Sequence, residues 1–360
     1  MNQPPIGSTP EARLSPGKAG RYEYRMHTAS FAGVQDAARQ IAGHAIRTPL
    51  IESPALNARV GGRVLLKAEN LQVAGAFKFR GAWNRISRLS PDELKRGVVA
   101  YSSGNHAQAV SAAARMMGTS AIIVMPADSP TVKVEGVRAF GGEVRLYDRY
   151  SESREAIGEE IAASKGSVLV RPFDDPLVIE GQGTIGLEII DQAKALGVAP
   201  LDQLVCGASG GGLIAGINLA MAALAPHAPV IAVEPRDYND MQLSIAAGER
   251  LTYPPAPGTI CDALMTDRPG ELTFPINRRV DRVETVSDAE VAEAVRYAFR
   301  VLKLVVEPGG AVSLAALLAG KVETHGRATA IVLSGGNVDP ALFSAIIEDR
   351  FDPETWGKTA

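Results

Sequence analysis

The sequence predicts an α/β protein built from two open, mainly parallel, twisted sheets with helices on both faces. Short apolar runs such as "GVVAYS" and "SAIIVMP" alternate with helix-periodic stretches from residue 97 to 172. Parallel neighbours in a sheet need a helical crossover between them, so regular alternation points to parallel pairing. The same alternation resumes from 177 to 337 behind one long helical stretch, which predicts a second sheet. A chain of 360 residues with 46% hydrophobic content is large enough to fill two medium cores.

The elements follow in order. A helical pattern runs through "FAGVQDAARQIAGHAI" and "GRVLLKAE" is a short buried strand, followed by a helix over 77–89. The first alternating block then gives strands at 97–102, 120–126, 143–148 and 167–172, with helices at 105–118, 130–142 and 151–166 between them. A helix over 177–196, a strand at 203–209, a helix at 211–225 and a strand at 229–235 open the second block. An amphipathic helix over 287–305 starts at Ser287, a side chain suited to cap it, and the last strand begins at 328. The Pro-rich, weakly periodic stretch 248–285 predicts long loops. We expect a large domain from 26–96 plus 172–350, a small domain from 97–171, a disordered tail at 1–25 with Met26 as an alternative start, and a C-terminal tail at 351–360.

Bulk chemistry narrows the function. A net charge of −3 provides no basic field to hold nucleic acid or an anionic membrane. Two cysteines, Cys206 and Cys261, cannot form a disulfide framework, which suits a cytoplasmic protein. No apolar run reaches the ~18 residues of a membrane span, and the first 25 residues lack the apolar core of a signal peptide.

Loops at strand ends carry the chemistry. "YSSGNHAQAV" runs from a strand into a helix through Ser102, Ser103, Gly104 and Asn105, a helix N-terminus able to receive a carboxylate. "CGASGGGLIAG" places three consecutive glycines, Gly210, Gly211 and Gly212, at another strand-to-helix turn, where bare N–H groups suit a phosphate. Its GxxGGG order and its depth in the chain argue against a dinucleotide fingerprint, despite Glu234 at the end of the next strand. "VLSGGNVDP" runs from a strand into glycines with Ser334 at the junction, and "VEPRDYND" brings Glu234 and Asp240 onto one loop with a carbonyl between them, a donor set for a hard cation.

Lys78, in "AGAFKFRGAWN", sits in the first turn of its helix between Phe77 and Phe79. Desolvation there disfavours the ammonium and leaves a nucleophilic amine. An amine beside a phosphate loop points to pyridoxal 5′-phosphate, whose aldehyde forms a Schiff base with lysine and whose ring withdraws electrons from a carbanion.

With "AGAFKFRGA", "SSGNHAQA", "RPFDDPLVIEGQGTIGLEI", "SGGGLIAG", "VEP" and "LSGGNVD" in this order, the chain resembles fold-type II pyridoxal-phosphate enzymes from about residue 30 to 350. The similarity is to the serine/threonine dehydratase (threonine ammonia-lyase) and serine racemase branch, and it implies a tryptophan synthase β-like fold. The resemblance implies that Lys78 holds the cofactor, that Asn105 bonds its 3-hydroxyl oxygen, that Ser209, Gly210, Gly211, Gly212 and Leu213 cradle its phosphate, and that Ser334 bonds the pyridine nitrogen. It further implies that Ser102, Ser103, Gly104 and His106 hold the substrate carboxylate, that Ser103 is a second acid–base group opposite Lys78, and that Phe173 lies near the cofactor. Metal-binding members of the branch carry counterparts of Glu234, the carbonyl at Tyr238 and Asp240, which implies magnesium or calcium.

Two features depart from the branch, which has "TGSFK" where Ala74 and Ala76 stand here and a glycine where Ser209 stands. The expected reaction is β-elimination of water from L-threonine or L-serine, giving a 2-oxo acid and ammonia. Serine racemisation and dehydration of 3-hydroxyaspartate are alternatives on the same scaffold, and a non-catalytic ligand-binding protein is a further one. Arg80 and Arg171 are cations that could receive a second substrate carboxylate, without sequence spacing to decide it. The implied partners are a small amino-acid substrate and further copies of the chain, as a homodimer or homotetramer. No isoleucine-sensing domain follows the last motif, so feedback of that kind is not expected.

Overall fold

A computed structural model describes residues 27–102, 104–129, 131–198, 200–252 and 258–356; the expectations for 1–25 and for Met26 lie outside these. The strands are β1 (Leu50–Glu52), β2 (Arg63–Ala68), β3 (Val98–Tyr101), β4 (Ala121–Pro126), β5 (Glu143–Tyr147), β6 (Val168–Leu169), β7 (Gln203–Gly207), β8 (Val230–Pro235), β9 (Arg282–Val286) and β10 (Ala328–Leu333). They form a six-stranded sheet of order β1-β2-β10-β7-β8-β9 and a four-stranded sheet of order β5-β4-β3-β6. All pairings are parallel except β1 on β2, an antiparallel edge.

Strand alternation sorts the larger sheet's core onto two faces. Leu66, Val205, Ile231, Val233 and Ile331 point to one side, against the helices Asp288–Tyr297 and Pro308–Leu318. Leu65, Leu204, Cys206, Ala232 and Val332 point to the other, against Pro176–Ala195 and Gly212–Leu224. Each fully buried Val, Leu or Ile contributes about 1.5–3 kcal/mol by leaving water. In the smaller sheet Val98, Ala100, Ile123 and Met125 share a core with Phe79, Trp83 and Ile86 of the helix Lys78–Ile86. On the opposite face Val99, Tyr101 and Val124 meet Ile157 and Ile161 of Arg154–Lys165.

Ser287 caps its helix through a capping box with Glu290, as its sequence predicts. The helix expected over 287–305 is instead Asp288–Tyr297 followed by a π-helical turn, Ala298–Leu302, that ends at Lys303 with φ 62°. The stretch expected as long loops contains the helix Thr273–Asn277 and the edge strand β9. β9 alternates Arg282, Val283 and Glu284 at a half-exposed edge, so it lacks the apolar run that marks a buried strand. Pro308–Leu318 is buried at every position but its last and therefore shows no amphipathic period. Residues 353–356 form a turn, with Phe351 before it packed on the larger core and its ring 5.9 Å from that of Trp356. Among the described residues no helix is long and apolar enough to cross a membrane.

Candidate active site

The carboxyl ends of β3, β7 and β10 open on one cavity of about 150 Å³, the place where open α/β sheets bind ligands. The segment leading to Lys78 is laced onto the loop after β10. Ala76 bridges Gly335, Phe77 N donates to Ser334 O at 3.0 Å, and Gly336 N donates to Gly75 O at 2.8 Å. Lys78 and Ser334 therefore share a wall.

Lys78 is the first residue of its helix, where the positive end of the helix dipole opposes a cation. Its Nζ donates to Pro172 O at 2.8 Å and lies 5.1 Å from the centre of the Phe77 ring. The side chain is only half-buried, because the cavity reaches it, but protein encloses its remaining sides. That poor hydration lowers its pKa to about 8, against an opposing pull from Glu307.

The glycine loop after β7 is turned so that carbonyls face away. Gly210 O accepts from Thr273 Oγ1 at 2.6 Å, Gly211 O accepts from Asn277 Nδ2 at 3.0 Å, and Ser209 Oγ bonds Thr266 Oγ1 at 2.7 Å. No side chain caps the helix Gly212–Leu224, so its first N–H groups remain for a ligand. A side chain on Gly210 would start 2.5 Å from the Phe173 ring, and Gly211 holds φ 93°. The cradle suits a phosphate because Gly210, Gly211 and Gly212 place no side chain over their own N–H groups.

In the loop after β3, Ser102 Oγ accepts from Gly104 N at 3.2 Å, and Gly104 starts the helix Asn105–Met116 without a side-chain cap. His106 is buried and its Nε2 donates to Val170 O at 2.9 Å, which leaves Nδ1 as a buried acceptor without a partner among the described residues. Burial, with Lys78 nearby, drives its pKa to about 3, so the ring is neutral. An orphaned acceptor on the cavity wall fits a site that receives a donor from a ligand. Ser103 lies outside the described residues.

Glu234 and Asp240 are buried away from the cavity lining. Glu234 accepts from Met241 N at 3.1 Å and Gln242 N at 2.9 Å, whereas neither carboxyl oxygen of Asp240 has a hydrogen-bond partner among the described residues. Burial pushes both groups up, Asp240 to about 7 and Glu234 further aided by the Asp240 charge. Tyr238 is buried beside them. No group of three or more His, Cys, Asp or Glu that could hold a metal gathers among the described residues. A hard cation fits the pair all the same, since it would supply the counter-charge that the orphaned carboxyl lacks.

Of the residues singled out in the sequence, Lys78, Ser102, Gly104, Asn105, His106, Phe173, Ser209 to Leu213 and Ser334 all line the cavity. Arg80 and Arg171 do not. Arg80 is fully buried between Glu69, at 2.8 Å, and Glu188, at 2.7 Å, and Arg171 pairs with Glu159 at the surface. Besides Lys78, the cations lining the cavity among the described residues are Lys133, paired with Asp262, and Arg154, which bonds Glu155 at 2.8 Å and lies 5.7 Å from the Tyr101 ring centre. Nothing in the sequence marked them, since both stand on ordinary helices. Glu307 and Asn337 also line the cavity and were missed; an acid inside the apolar "KLVVEPGGAV" was the available signal.

The family model described as pyridoxal-phosphate dependent enzyme matches residues 41–335. The L-threo-3-hydroxyaspartate ammonia-lyase of Pseudomonas sp is 42% identical over 324 residues, covering 90% of this chain and 100% of that protein. Maize serine racemase superposes with a TM-score of 0.83 at 38% identity, over 90% of this chain and 98% of that one. The serine racemase of Dictyostelium discoideum does so with 0.80 at 34% identity, over 87% and 100%.

Proposed function

The chain belongs to the pyridoxal-phosphate dependent enzyme family, and from that premise we propose that it is an ammonia-lyase removing water from a β-hydroxy amino acid such as L-threonine or L-serine. The observation that carries the reading is the shared cavity, in which the poorly hydrated amine of Lys78 stands with the side-chain-free cradle at Gly210 and Gly211. When bound, pyridoxal phosphate supplies an aldehyde for that amine and a ring that takes up electrons from Cα.

Each residue then has a defined task. The N–H groups from Ser209 to Leu213 would hold the phosphate, and Asn105 and Ser334 would hold the ring oxygen and ring nitrogen. Ser334 would offer that nitrogen a neutral hydroxyl in place of a carboxylate. Ser102, Gly104 and the backbone N–H of His106, in the first turn of an uncapped helix, orient the substrate carboxylate, and the amine of Lys78 takes the Cα proton. Ser103 is the group we assign to reprotonation in any accompanying racemisation. Glu234, Asp240 and the Tyr238 carbonyl are assigned to magnesium or calcium. We divide the chain into a large cofactor-binding domain, 26–96 with 172–350, and a small domain, 97–171.

One observation favours a second reading, 3-hydroxyaspartate as substrate. Arg154 brings a guanidinium to the wall that also carries Ser102, where a second carboxylate could be received. The test is protein loaded with pyridoxal phosphate and given L-threonine, L-serine and L-threo-3-hydroxyaspartate in turn, with 2-oxo acid release and product chirality measured. No oxo acid from any of them would overturn the lyase reading. Arg154→Met lowering kcat/KM about a hundredfold for the dicarboxylate alone would support the second reading over the first; equal loss on all three would remove it.

A further inference from the structure

Both ends of the Asn105 amide are held by side chains to which the sequence assigned no role, Glu307 outside every motif and Asn337 within "LSGGNVD". Its Nδ2 donates to Glu307 Oε1 at 2.5 Å, and its Oδ1 accepts from Asn337 Nδ2 at 2.9 Å. Asn337 Nδ2 also donates to Ala74 O at 2.8 Å, which ties it to the segment leading into Lys78. Flipping Asn105 would set its amide nitrogen against the Asn337 nitrogen, donor against donor, and its oxygen against the Glu307 carboxyl. The network admits one orientation. In that orientation one of the two Nδ2 hydrogens is used by Glu307 and the other remains for the cavity, which Asn105 lines.

Glu307 is itself fixed. It is 4% exposed, its backbone N donates to Gly335 O at 3.0 Å, and its Oε1 stands 2.0 Å from the point where a side chain on Gly335 would begin. Only a glycine at 335 leaves room for the carboxyl to reach Asn105. Lys78 and Lys133 are the cations that act on it from neighbouring elements. A buried acid that forms no close ion pair among the described residues, placed against an amide on the cavity wall, is costly to maintain for packing alone.

We propose that Glu307 and Asn337 are positioning residues that lock the Asn105 amide so that its free N–H is presented to the ring oxygen of bound pyridoxal phosphate. The proposal rests on the cofactor reading above and adds the residues that act on the cofactor through Asn105.

The test is a double-mutant cycle read on the loaded protein without substrate, by the position of the cofactor's visible absorbance band and by cofactor affinity from fluorescence titration. Asn105→Ala, Glu307→Ala and Asn337→Ala are each expected to shift the band in the same direction and to weaken affinity about tenfold. Glu307→Gln is expected to keep the wild-type band, since its amide oxygen still accepts from Asn105. In the Asn105→Ala background, Glu307→Ala or Asn337→Ala should change affinity less than twofold. Additive tenfold losses in that background would overturn the proposal, as would a Gln variant that behaves like Ala. If Glu307→Ala does not fold, Glu307→Gln and Asn337→Ala complete the same comparison. A wild-type protein that takes up no cofactor overturns the cofactor reading as well; one that does, with additive variants, overturns the positioning role alone.

Discussion

The amine of Lys78 donates to the backbone carbonyl of Pro172 at 2.8 Å, and no carboxylate among the described residues is bonded to it. A neutral acceptor orients the nitrogen without holding it as an ammonium, so the free amine is accessible for attack on an aldehyde and for removing a proton. Lys78→Ala is expected to eliminate the absorbance that marks lysine-bound cofactor and to reduce oxo-acid production by several orders of magnitude, because nucleophile and base are lost together. Absorbance after desalting and a coupled turnover assay check it. A variant retaining both would remove Lys78 from the mechanism.

With a pKa of about 8, roughly a tenth of the Lys78 amine is neutral at pH 7, against fewer than one in a thousand for an ordinary lysine. Uptake of pyridoxal phosphate by the apo-protein should therefore accelerate as pH rises toward 8 and level off above it. Because the folded pKa lies below the unfolded one, the ammonium costs stability below about pH 8, and that cost is relieved as pH climbs from about 8 to about 10.4. Stopped-flow absorbance across this range decides the point; a rate still climbing at pH 10 would mean an ordinary lysine.

Glu234 and Asp240 should respond to divalent ions. Removing divalent ions with EDTA at pH 8 is expected to lower the melting temperature, and millimolar calcium or magnesium to restore it, by about 2.7 kcal/mol when the ion is at a hundred times its Kd. The effect should fade as pH falls through about 7, where Asp240 takes up a proton and the ion loses its charge partner. Glu234→Gln should abolish it. Identical melting curves with and without the ion, on protein shown to be metal-free, would argue against the site.

Gly210→Ala should damage the phosphate cradle. The new methyl would start 2.5 Å from the Phe173 ring, so loop or ring must move, at a cost of about 1–3 kcal/mol. Cofactor affinity is expected to fall roughly ten- to a hundredfold, a decade for each 1.4 kcal/mol. Gly104→Ala is the comparison, since nothing lies within 4 Å of its added carbon and its melting temperature should be unchanged. Isothermal titration and thermal melts read both; wild-type affinity in Gly210→Ala would show that the loop relaxes freely.

Much of the fold was legible because parallel strands covered on both faces are written as unbroken apolar runs, as in "AIIVMP" and "VIAVEP". β9 escaped notice because an edge strand with Arg282 and Glu284 is half polar, and Pro308–Leu318 because a helix buried all round has no polar stripe. The loops holding Lys78, Asn105, Gly210 and Ser334 stood out since small and polar residues at strand ends form compact local patterns. Glu307 and Asn337 stood out less, for each acts only where separate loops meet.

Local periodicity and backbone demands were enough to establish the alternation of the buried strands with helices, the lysine at a helix start, the glycine turn and, through them, the class of chemistry. Those signals survive in one dimension because each depends on residues a few positions apart. The fate of the charges does not. Arg80 and Arg154 are the same residue type, yet Glu69 and Glu188 bury the first in an ion-paired network while the second reaches the cavity. The lowered pKa of Lys78, the single orientation of Asn105 and the orphaned carboxyl of Asp240 likewise arise from burial and from partners distant in the chain. Desolvation and hydrogen-bond pairing are properties of the packed environment, so they come into existence only when the two sheets close around the cavity.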